Sequence, residues 1–266
     1  MKQRIITGLI GGAVFVALTV AGGWFFYGLL LLLALIGFFE YTRMNGLLWK
    51  HPASLIGFAG VLVLLFPWNE FDVHQPDGIH MFWLLMFLVL TITVLTKNKM
   101  TIDDAALMLL GVLYVGYGFY AMFEVRNAEA HGLLATFLAF GSIWASDIGA
   151  YFCGKAFGKT KLWPSISPNK TIEGSLGGVV LSLIVAVLFS FVYPDIISIG
   201  RALGIGLIAA VAGQLGDLIQ SAYKRIRGIK DTGTILPGHG GVLDRCDSWI
   251  IVFPFLIMTQ LLPLGG

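Results

Sequence analysis

Apolar residues dominate this sequence in nine long runs that are separated by short polar connections. A run of about 17–25 apolar residues is long enough to cross a bilayer as an α-helix. The pattern therefore predicts an all-α, polytopic integral membrane protein with about nine transmembrane helices. The predicted spans cover residues 5–22, 24–42, 52–67, 80–96, 103–122, 132–152, 172–193, 201–220 and 248–264.

The positions of the basic residues predict how these spans are oriented. If the N-terminus is cytoplasmic, only Arg126 and Arg201 of the 17 Lys and Arg residues lie on the opposite side. Cytoplasmic loops of membrane proteins carry an excess of Lys and Arg. We therefore expect a multi-pass protein of the cell inner (plasma) membrane, with its N-terminus and its active site facing the cytoplasm.

The composition supports a lipid environment and narrows the functional classes. Hydrophobic residues make up 57% of the chain and charged residues 12%, whereas soluble domains have about 45–50% and about 25%. The formal net charge is only +2, and no basic, aromatic-studded stretch indicates nucleic-acid binding. Cys153 and Cys246 match no metal-ligand spacing.

Polar chemistry is concentrated in the second half of the chain. Two long predicted cytoplasmic loops, 153–171 and 221–247, are rich in Gly, Pro, Lys and Asp. We therefore divide the chain into N-terminal transmembrane helices, residues 1–130, and a C-terminal transmembrane catalytic region with cytoplasmic loops, residues 131–266.

Asp147 is the first of two carboxylates inside predicted spans of this region. An ionisable group within a span is costly and is by default a functional hypothesis. At helical spacing Asp147 shares a face with Tyr151 and Lys155. An alternative is that Asp147 only pairs with Lys155 at the membrane surface.

Asp217 is the second such carboxylate, and it lies on a polar helical stripe. A helix that served only as a lipid-embedded support would place Leu or Ala at these positions, so the stripe indicates a functional site. Its members are Gln214, Asp217, Ser221, Lys224 and Arg225.

The loop that follows adds two more carboxylates. Asp244 and Asp247 are three residues apart, so they point the same way if that turn is helical. Mg²⁺ prefers oxygen ligands and is often held by one or two carboxylates together with substrate phosphates. The predicted metal ligands are Asp217, Asp244 and Asp247, and the predicted phosphate-neutralising cations beside them are Lys224, Arg225 and Arg245.

The other loop ends in the segment 167–174, which enters the seventh span. A helix N-terminus that faces the cytoplasm suits an anion, and Lys170 and Thr171 would add a charge and a hydroxyl group. A simple helix cap with basic anchors is the alternative. Gly174 and Gly178 form a small-xxx-small pair, which is typical of helix packing.

Residues 221–247 closely resemble the signature of the phosphatidate cytidylyltransferases, also called CDP-diacylglycerol synthases. Tyr223 and Cys246 depart from the pattern, where an aliphatic residue or Phe is expected, but neither is a polar position. The segments around Asp147 and 167–174 are also similar to that family. The matching positions of the signature are Ser221, Lys224, Arg225, Lys230, Asp231, Gly233, Leu236, Pro237, His239, Gly240, Gly241, Val242, Asp244, Arg245 and Asp247.

The resemblance implies a nucleotidyltransferase that converts CTP and phosphatidate into CDP-diacylglycerol and pyrophosphate with Mg²⁺. The implied catalytic residues are Asp217, Asp244, Lys224, Arg225 and Asp247. The implied substrate-binding residues are Ser167, Asn169, Lys170, Thr171, Ser221, Lys230, Asp231, His239, Arg245 and Asp147. Oligomeric state, a homodimer included, and a second cation beside Mg²⁺ are left open.

Two other functions use the same residues. A CTP-dependent polyprenol or lipid kinase would transfer the γ-phosphate of CTP. An ion-coupled secondary transporter would use Asp147 and Asp217 near the bilayer midplane, but no inverted repeat is evident and the charge-rich loops lie on one side.

Overall fold

Each of the nine predicted apolar runs forms a helix in the structure. A computed structural model describes residues 2–235, 238 and 240–264. A π-helical segment, Val112–Tyr117, joins α5 to α6, and a 3₁₀ turn covers Trp68–Phe71. The α-helices are α1 Lys2–Ala21, α2 Gly23–Met44, α3 Pro52–Leu65, α4 Gly78–Leu95, α5 Ile102–Gly111, α6 Gly118–Asn127, α7 Gly132–Phe157, α8 Ile172–Val192, α9 Ile199–Ile226, α10 Leu243–Cys246 and α11 Trp249–Thr259.

Within the described part of the chain, six helices are long and apolar enough to cross a membrane. They are Gly23–Met44, Gly78–Leu95, Ile102–Asn127, Gly132–Phe157, Ile172–Val192 and Ile199–Ile226. The other three apolar helices are shorter, at Gly8–Ala21, Pro52–Leu65 and Trp249–Thr259. The protein is therefore an α-helical membrane protein, and length and composition support six of the nine predicted spans.

A short β-hairpin interrupts the helical architecture between α7 and α8, and the apolar pattern did not predict it. Strand β1, Lys161–Trp163, pairs antiparallel with β2, Ser167–Thr171. The Glu173 carboxylate accepts hydrogen bonds from the backbone N–H groups of Lys159 and Thr160 at 3.1 Å. These bonds tie the start of the hairpin to the first turn of α8.

Small residues bring α7 and α8 into close contact. A Cβ atom on Gly174 would lie 2.7 Å from the carbonyl oxygen of Ala150, and one on Gly178 would lie 2.7 Å from the carbonyl oxygen of Ser146. Any larger side chain would force the helices apart. The packing role predicted for Gly174 and Gly178 is confirmed.

Helix α9 extends beyond the predicted span 201–220. It covers 28 residues, with the Ser198 side chain accepting from the Arg201 N–H at its start. Since α9 continues to Ile226, Lys224 lies on its last turn beside the loop that leads to α10. Gly228, with φ of 67°, takes the left-handed conformation that ends many helices.

Candidate active site

A polar cavity of about 680 Å³ lies where α7, the hairpin, α9 and α10 meet. This volume falls in the range of about 300–1,000 Å³ that is usual for small-molecule sites. Its lining combines five Asp carboxylates with four basic side chains. They are Asp147, Asp217, Asp231, Asp244, Asp247, Lys155, Lys170, Lys224 and Arg245.

The structure brings ten of the fifteen sequence-predicted site residues to this cavity. Those that line it are Asp147, Asn169, Lys170, Thr171, Asp217, Lys224, Asp231, Asp244, Arg245 and Asp247. Four predicted residues are absent from its lining, namely Ser167, Ser221, Arg225 and Lys230. His239 lies outside the described residues. The functional role of each residue stays a prediction.

The four residues outside the lining occupy neighbouring positions. Ser167 pairs with Trp163 in the hairpin, and the Ser221 hydroxyl donates to Asp217 Oδ1 at 3.2 Å. The Arg225 guanidinium donates to the carbonyl oxygen of Ile166 at 3.3 Å, which joins α9 to the hairpin. Lys230 is exposed. Ser221 therefore contacts a cavity carboxylate, while Arg225 supports the hairpin.

Asp217 forms an ion pair across the cavity. Lys170 Nζ lies 2.7 Å from Asp217 Oδ2, and both side chains are only partly exposed. Lys170 belongs to β2 and Asp217 to α9, so the pair joins two elements that both border the cavity. A ligand that placed a phosphate near Lys170 would compete with Asp217 for this cation.

Thr171, the last residue of β2, places the start of α8 at the cavity. Its hydroxyl oxygen accepts a hydrogen bond from the Gly174 N–H at 3.1 Å. The predicted cap is confirmed, and Asn169 and Lys170 beside it also line the cavity. The helix N-terminus contributes a partial positive charge there. A helix cap at Thr171 is thus compatible with an anion-binding site at the same end of α8.

Asp244 is the most heavily hydrogen-bonded carboxylate of the site. Its Oδ1 accepts from Lys224 Nζ at 2.6 Å. Its Oδ2 accepts from the Thr232 N–H at 2.8 Å, the Thr232 hydroxyl at 3.0 Å and the Gly241 N–H at 2.9 Å. Burial raises its pKa, but these bonds outweigh burial and lower the pKa below its ordinary value. Asp244 therefore stays ionised and anchors the loop.

Asp247 is partly buried and lines the cavity beside other carboxylates. Burial, together with the nearby charge of Asp217, raises the pKa of Asp247 to about 7. Asp147 also faces the cavity, and no basic nitrogen of the described residues lies within 4.0 Å of it. The suggested pair between Asp147 and Lys155 is thus not formed. A cation between these carboxylates would relieve their mutual repulsion.

These carboxylates fit Mg²⁺ only if a ligand completes its coordination. Among the described residues, no three His, Cys, Asp or Glu side chains converge closely enough to hold a metal ion. Mg²⁺ is usually bound by one or two carboxylates together with phosphates and water. Asp217 and Asp247 match that donor set better than Asp244. Asp244 is buried and accepts four hydrogen bonds, whereas Asp217 is partly exposed and has one partner on each oxygen.

Glu40 is a supporting residue that the sequence interpretation missed. It lies in α2, is 2% exposed, and accepts from the backbone N–H groups of Val242 and Leu243, each at 3.0 Å. The Thr232 hydroxyl lies 3.1 Å from Glu40 Oε2. An ionisable residue inside a predicted span was the signal that could have identified it.

Uncharged polar groups form a network beside the cavity, which Ser175 and Gln214 line. The Gln214 side-chain amide donates to Ser146 Oγ at 3.3 Å and to the Ser175 carbonyl oxygen at 3.2 Å. The Ser175 hydroxyl also contacts Gln214 Oε1. This network joins α7, α8 and α9 next to the charged part of the cavity.

Comparison with known proteins assigns the chain to a family. Residues 2–262 match the cytidylyltransferase family. The phosphatidate cytidylyltransferase of Bacillus subtilis (strain 168) is 43% identical over 259 residues, covering 96% of each chain. That of Staphylococcus aureus (strain COL) is 41% identical over 256 residues, covering 96% of this chain and 97% of the relative. This protein belongs to the cytidylyltransferase family.

Proposed function

We propose that this protein is a phosphatidate cytidylyltransferase, which transfers CMP from CTP to phosphatidate and so forms CDP-diacylglycerol for phospholipid biosynthesis. The observation that carries the proposal is a cavity in which five carboxylates and four basic side chains meet beside the apolar helices α7 and α9. A charged nucleotide needs such a polar site, and a lipid substrate needs one that adjoins the bilayer. The name shared by its relatives supports the same activity.

The proposed reaction is a displacement at the α-phosphorus of CTP. A phosphate oxygen of phosphatidate attacks the α-phosphorus, and a new P–O bond forms. The bond from the α-phosphorus to the bridging oxygen of the β-phosphate breaks, and its electron pair leaves with pyrophosphate. A phosphate monoester is already anionic near neutral pH, so no dedicated general base is needed. Catalysis then consists of positioning and charge neutralisation.

The basic side chains of the cavity would neutralise the phosphate groups. Arg245 lines the cavity and is exposed, so its guanidinium is accessible to a phosphate. Lys170 can exchange its bond with Asp217 for a phosphate oxygen, at the N-terminal end of α8. Lys224, held by Asp244, supplies a fixed positive charge.

We include Mg²⁺ in this proposal. Asp217 and Asp247 would hold it together with substrate phosphates, and Asp244 would support Lys224 and the loop. The ion would supply positive charge to the reacting phosphates. Whether Asp244 also becomes a ligand depends on its bond to Lys224 being broken when substrates bind.

We also propose the finer topology. Nine spans with a cytoplasmic N-terminus would place the cavity at the cytoplasmic face of the inner membrane, since 15 of the 17 basic residues then lie inside. The cavity residues lie in the second half of α7 and in the second half of α9. In the proposed orientation both helices run toward the cytoplasm, so these halves are the cytoplasmic ones. CTP would enter from the cytoplasm and phosphatidate from the adjacent leaflet.

Labelled CTP tests the proposal against its nearest chemical rival. Purified protein is incubated with phosphatidate, Mg²⁺ and CTP that carries ³²P at either the α- or the γ-phosphate. Label from the α-position should enter the lipid phase, and label from the γ-position should appear only in pyrophosphate. Transfer of γ-label to a lipid acceptor, with CDP released, would instead identify a lipid kinase. Absence of CTP consumption would reject both and leave the transporter hypothesis.

A further inference from the structure

Glu40 is a buried carboxylate whose bonds all go to the loop that carries the site. It accepts from Val242 and Leu243, and the hydroxyl of Thr232 lies at hydrogen-bond distance. Among the described residues, no basic side chain lies within 4.0 Å of its carboxylate. Burial of a charge is costly unless hydrogen bonds compensate for it. A helix that needed only to pack would carry an apolar residue at this position.

The loop presses closely against this carboxylate. A Cβ atom on Gly241 would lie 2.5 Å from each of the two Glu40 oxygens. Only glycine therefore permits the backbone to approach the carboxylate this closely. The loop at Gly241 is therefore matched to Glu40 in shape, and the next two residues, Val242 and Leu243, supply the backbone hydrogen bonds.

A short bridge connects Glu40 to the catalytic region. The Thr232 hydroxyl lies 3.1 Å from Glu40 Oε2 and 3.0 Å from Asp244 Oδ2. Val242 and Leu243, whose amides Glu40 binds, immediately precede Asp244. A displacement of this turn would therefore move Asp244, and with it the neighbouring residues that line the cavity.

We propose that Glu40 is a positioning residue of the cytidylyl-transfer site, which holds Thr232 and the turn at Gly241–Leu243 so that Asp244 and Arg245 are correctly placed. This inference rests on the proposed function. It also links α2, in the N-terminal part of the chain, to a site built from the C-terminal part. The N-terminal helices would thus contribute to catalysis indirectly, by positioning the site.

The test compares Glu40→Gln with Glu40→Asp and with a matched control, Glu124→Gln. Glutamine keeps the size of the side chain but directs an amide N–H group at backbone or hydroxyl donors. Loss of charge-assisted hydrogen bonds of this kind should lower kcat by about 10- to 100-fold in folded protein. Glu40→Asp should retain more activity than Glu40→Gln because it keeps the charge. Glu124 is exposed on α6, away from the cavity, so its variant should match wild type.

A second readout monitors the loop independently of turnover. Cys246 is 2% exposed, so in a Cys153→Ser background it should react slowly with a thiol reagent. If Glu40 holds the loop, Glu40→Gln should label Cys246 several-fold faster while the protein still elutes as a single folded species.

The inference is overturned if folded Glu40→Gln keeps a kcat within threefold of wild type. It is also overturned if kcat falls while Cys246 stays as protected as in wild type, or if Glu40→Asp loses as much activity as Glu40→Gln. Failure of the proposed function would give a different result, because the wild-type protein would then form no lipid product. Cys246 labelling would still show whether Glu40 holds the loop in place.

Discussion

Replacing Asp244 by Asn should destabilise the protein as well as inactivate it. The two side chains have nearly the same shape, but Asn cannot compensate the charge of Lys224, whose ammonium lies 2.6 Å from Asp244 Oδ1. The exposed fractions of these side chains are 11% for Lys224 and 3% for Asp244. Removing one partner of a buried ion pair typically costs about 3–5 kcal/mol.

The expected loss can be measured by thermal unfolding in detergent, with metal chelated. A loss of about 3 kcal/mol corresponds to a decrease in Tm of roughly 6–12 °C for a chain of this size. Asp231→Asn is the matched control, because Asp231 lines the same cavity but is exposed and forms no ion pair among the described residues. It should change stability by less than about 0.5 kcal/mol.

The pH dependence of this loss has a defined sign. Because the folded-state pKa of Asp244 lies below its ordinary value of 3.8, its stabilising contribution is complete above that value and is lost as the pH falls through the lower, folded-state pKa. The difference in Tm between wild type and Asp244→Asn should therefore be constant near neutral pH and should shrink only in acid.

A double variant separates the ion pair from other effects. Lys224→Met combined with Asp244→Asn removes the uncompensated ammonium, so it should be more stable than Asp244→Asn alone while remaining inactive. If Asp244→Asn melts as wild type and Asp231→Asn do, the buried pair does not hold this loop, and the reasoning is refuted.

The remaining predictions concern two carboxylates and the topology. With metal chelated, Asp247→Asn should raise Tm above pH 7, because wild-type Asp247, with its pKa raised to about 7, loses its stabilising contribution as it ionises. This gain should vanish toward pH 4, and a gain independent of pH would contradict it. Asp217→Asn should lower turnover by more than the roughly 10–100-fold that is typical when a residue hydrogen-bonded to a metal ligand is replaced. Near-normal turnover across Mg²⁺ concentrations would exclude Asp217 as a ligand. In a cysteine-free background, an impermeant thiol reagent added outside cells should label Glu129→Cys and not Lys159→Cys; the reverse would invert the topology.

The helices could be predicted from the sequence because the bilayer imposes a strict local rule. Backbone polar groups in lipid must be hydrogen-bonded within the segment, so a long apolar run becomes a helix. The nine runs accordingly form helices, although α11 ends at Thr259, before the predicted boundary at residue 264. The division at residue 130 stays a prediction. The hairpin was missed because three- and five-residue strands leave little periodic signal.

Most of the cavity lining could also be predicted, because helical spacing is local. Asp147, Tyr151 and Lys155 lie on one face of α7, and all three line the cavity. The same spacing groups Gln214, Asp217 and Lys224 on α9, but it also included Arg225, whose guanidinium bonds to the hairpin instead. Helical periodicity predicts the face of the helix on which a residue lies, but it does not predict which residue its side chain contacts.

The sequence by itself determined the membrane class, the positions of the helices and most of the charged residues that face the cavity. Only the tertiary structure decided which of these charges pair. Lys170 pairs with Asp217 and Lys224 with Asp244, while Glu40 binds a turn about 200 residues away. Covalent geometry and the bilayer constrain residues near one another in the chain. Pairing between distant residues depends on how whole helices pack, which no local pattern of residues specifies.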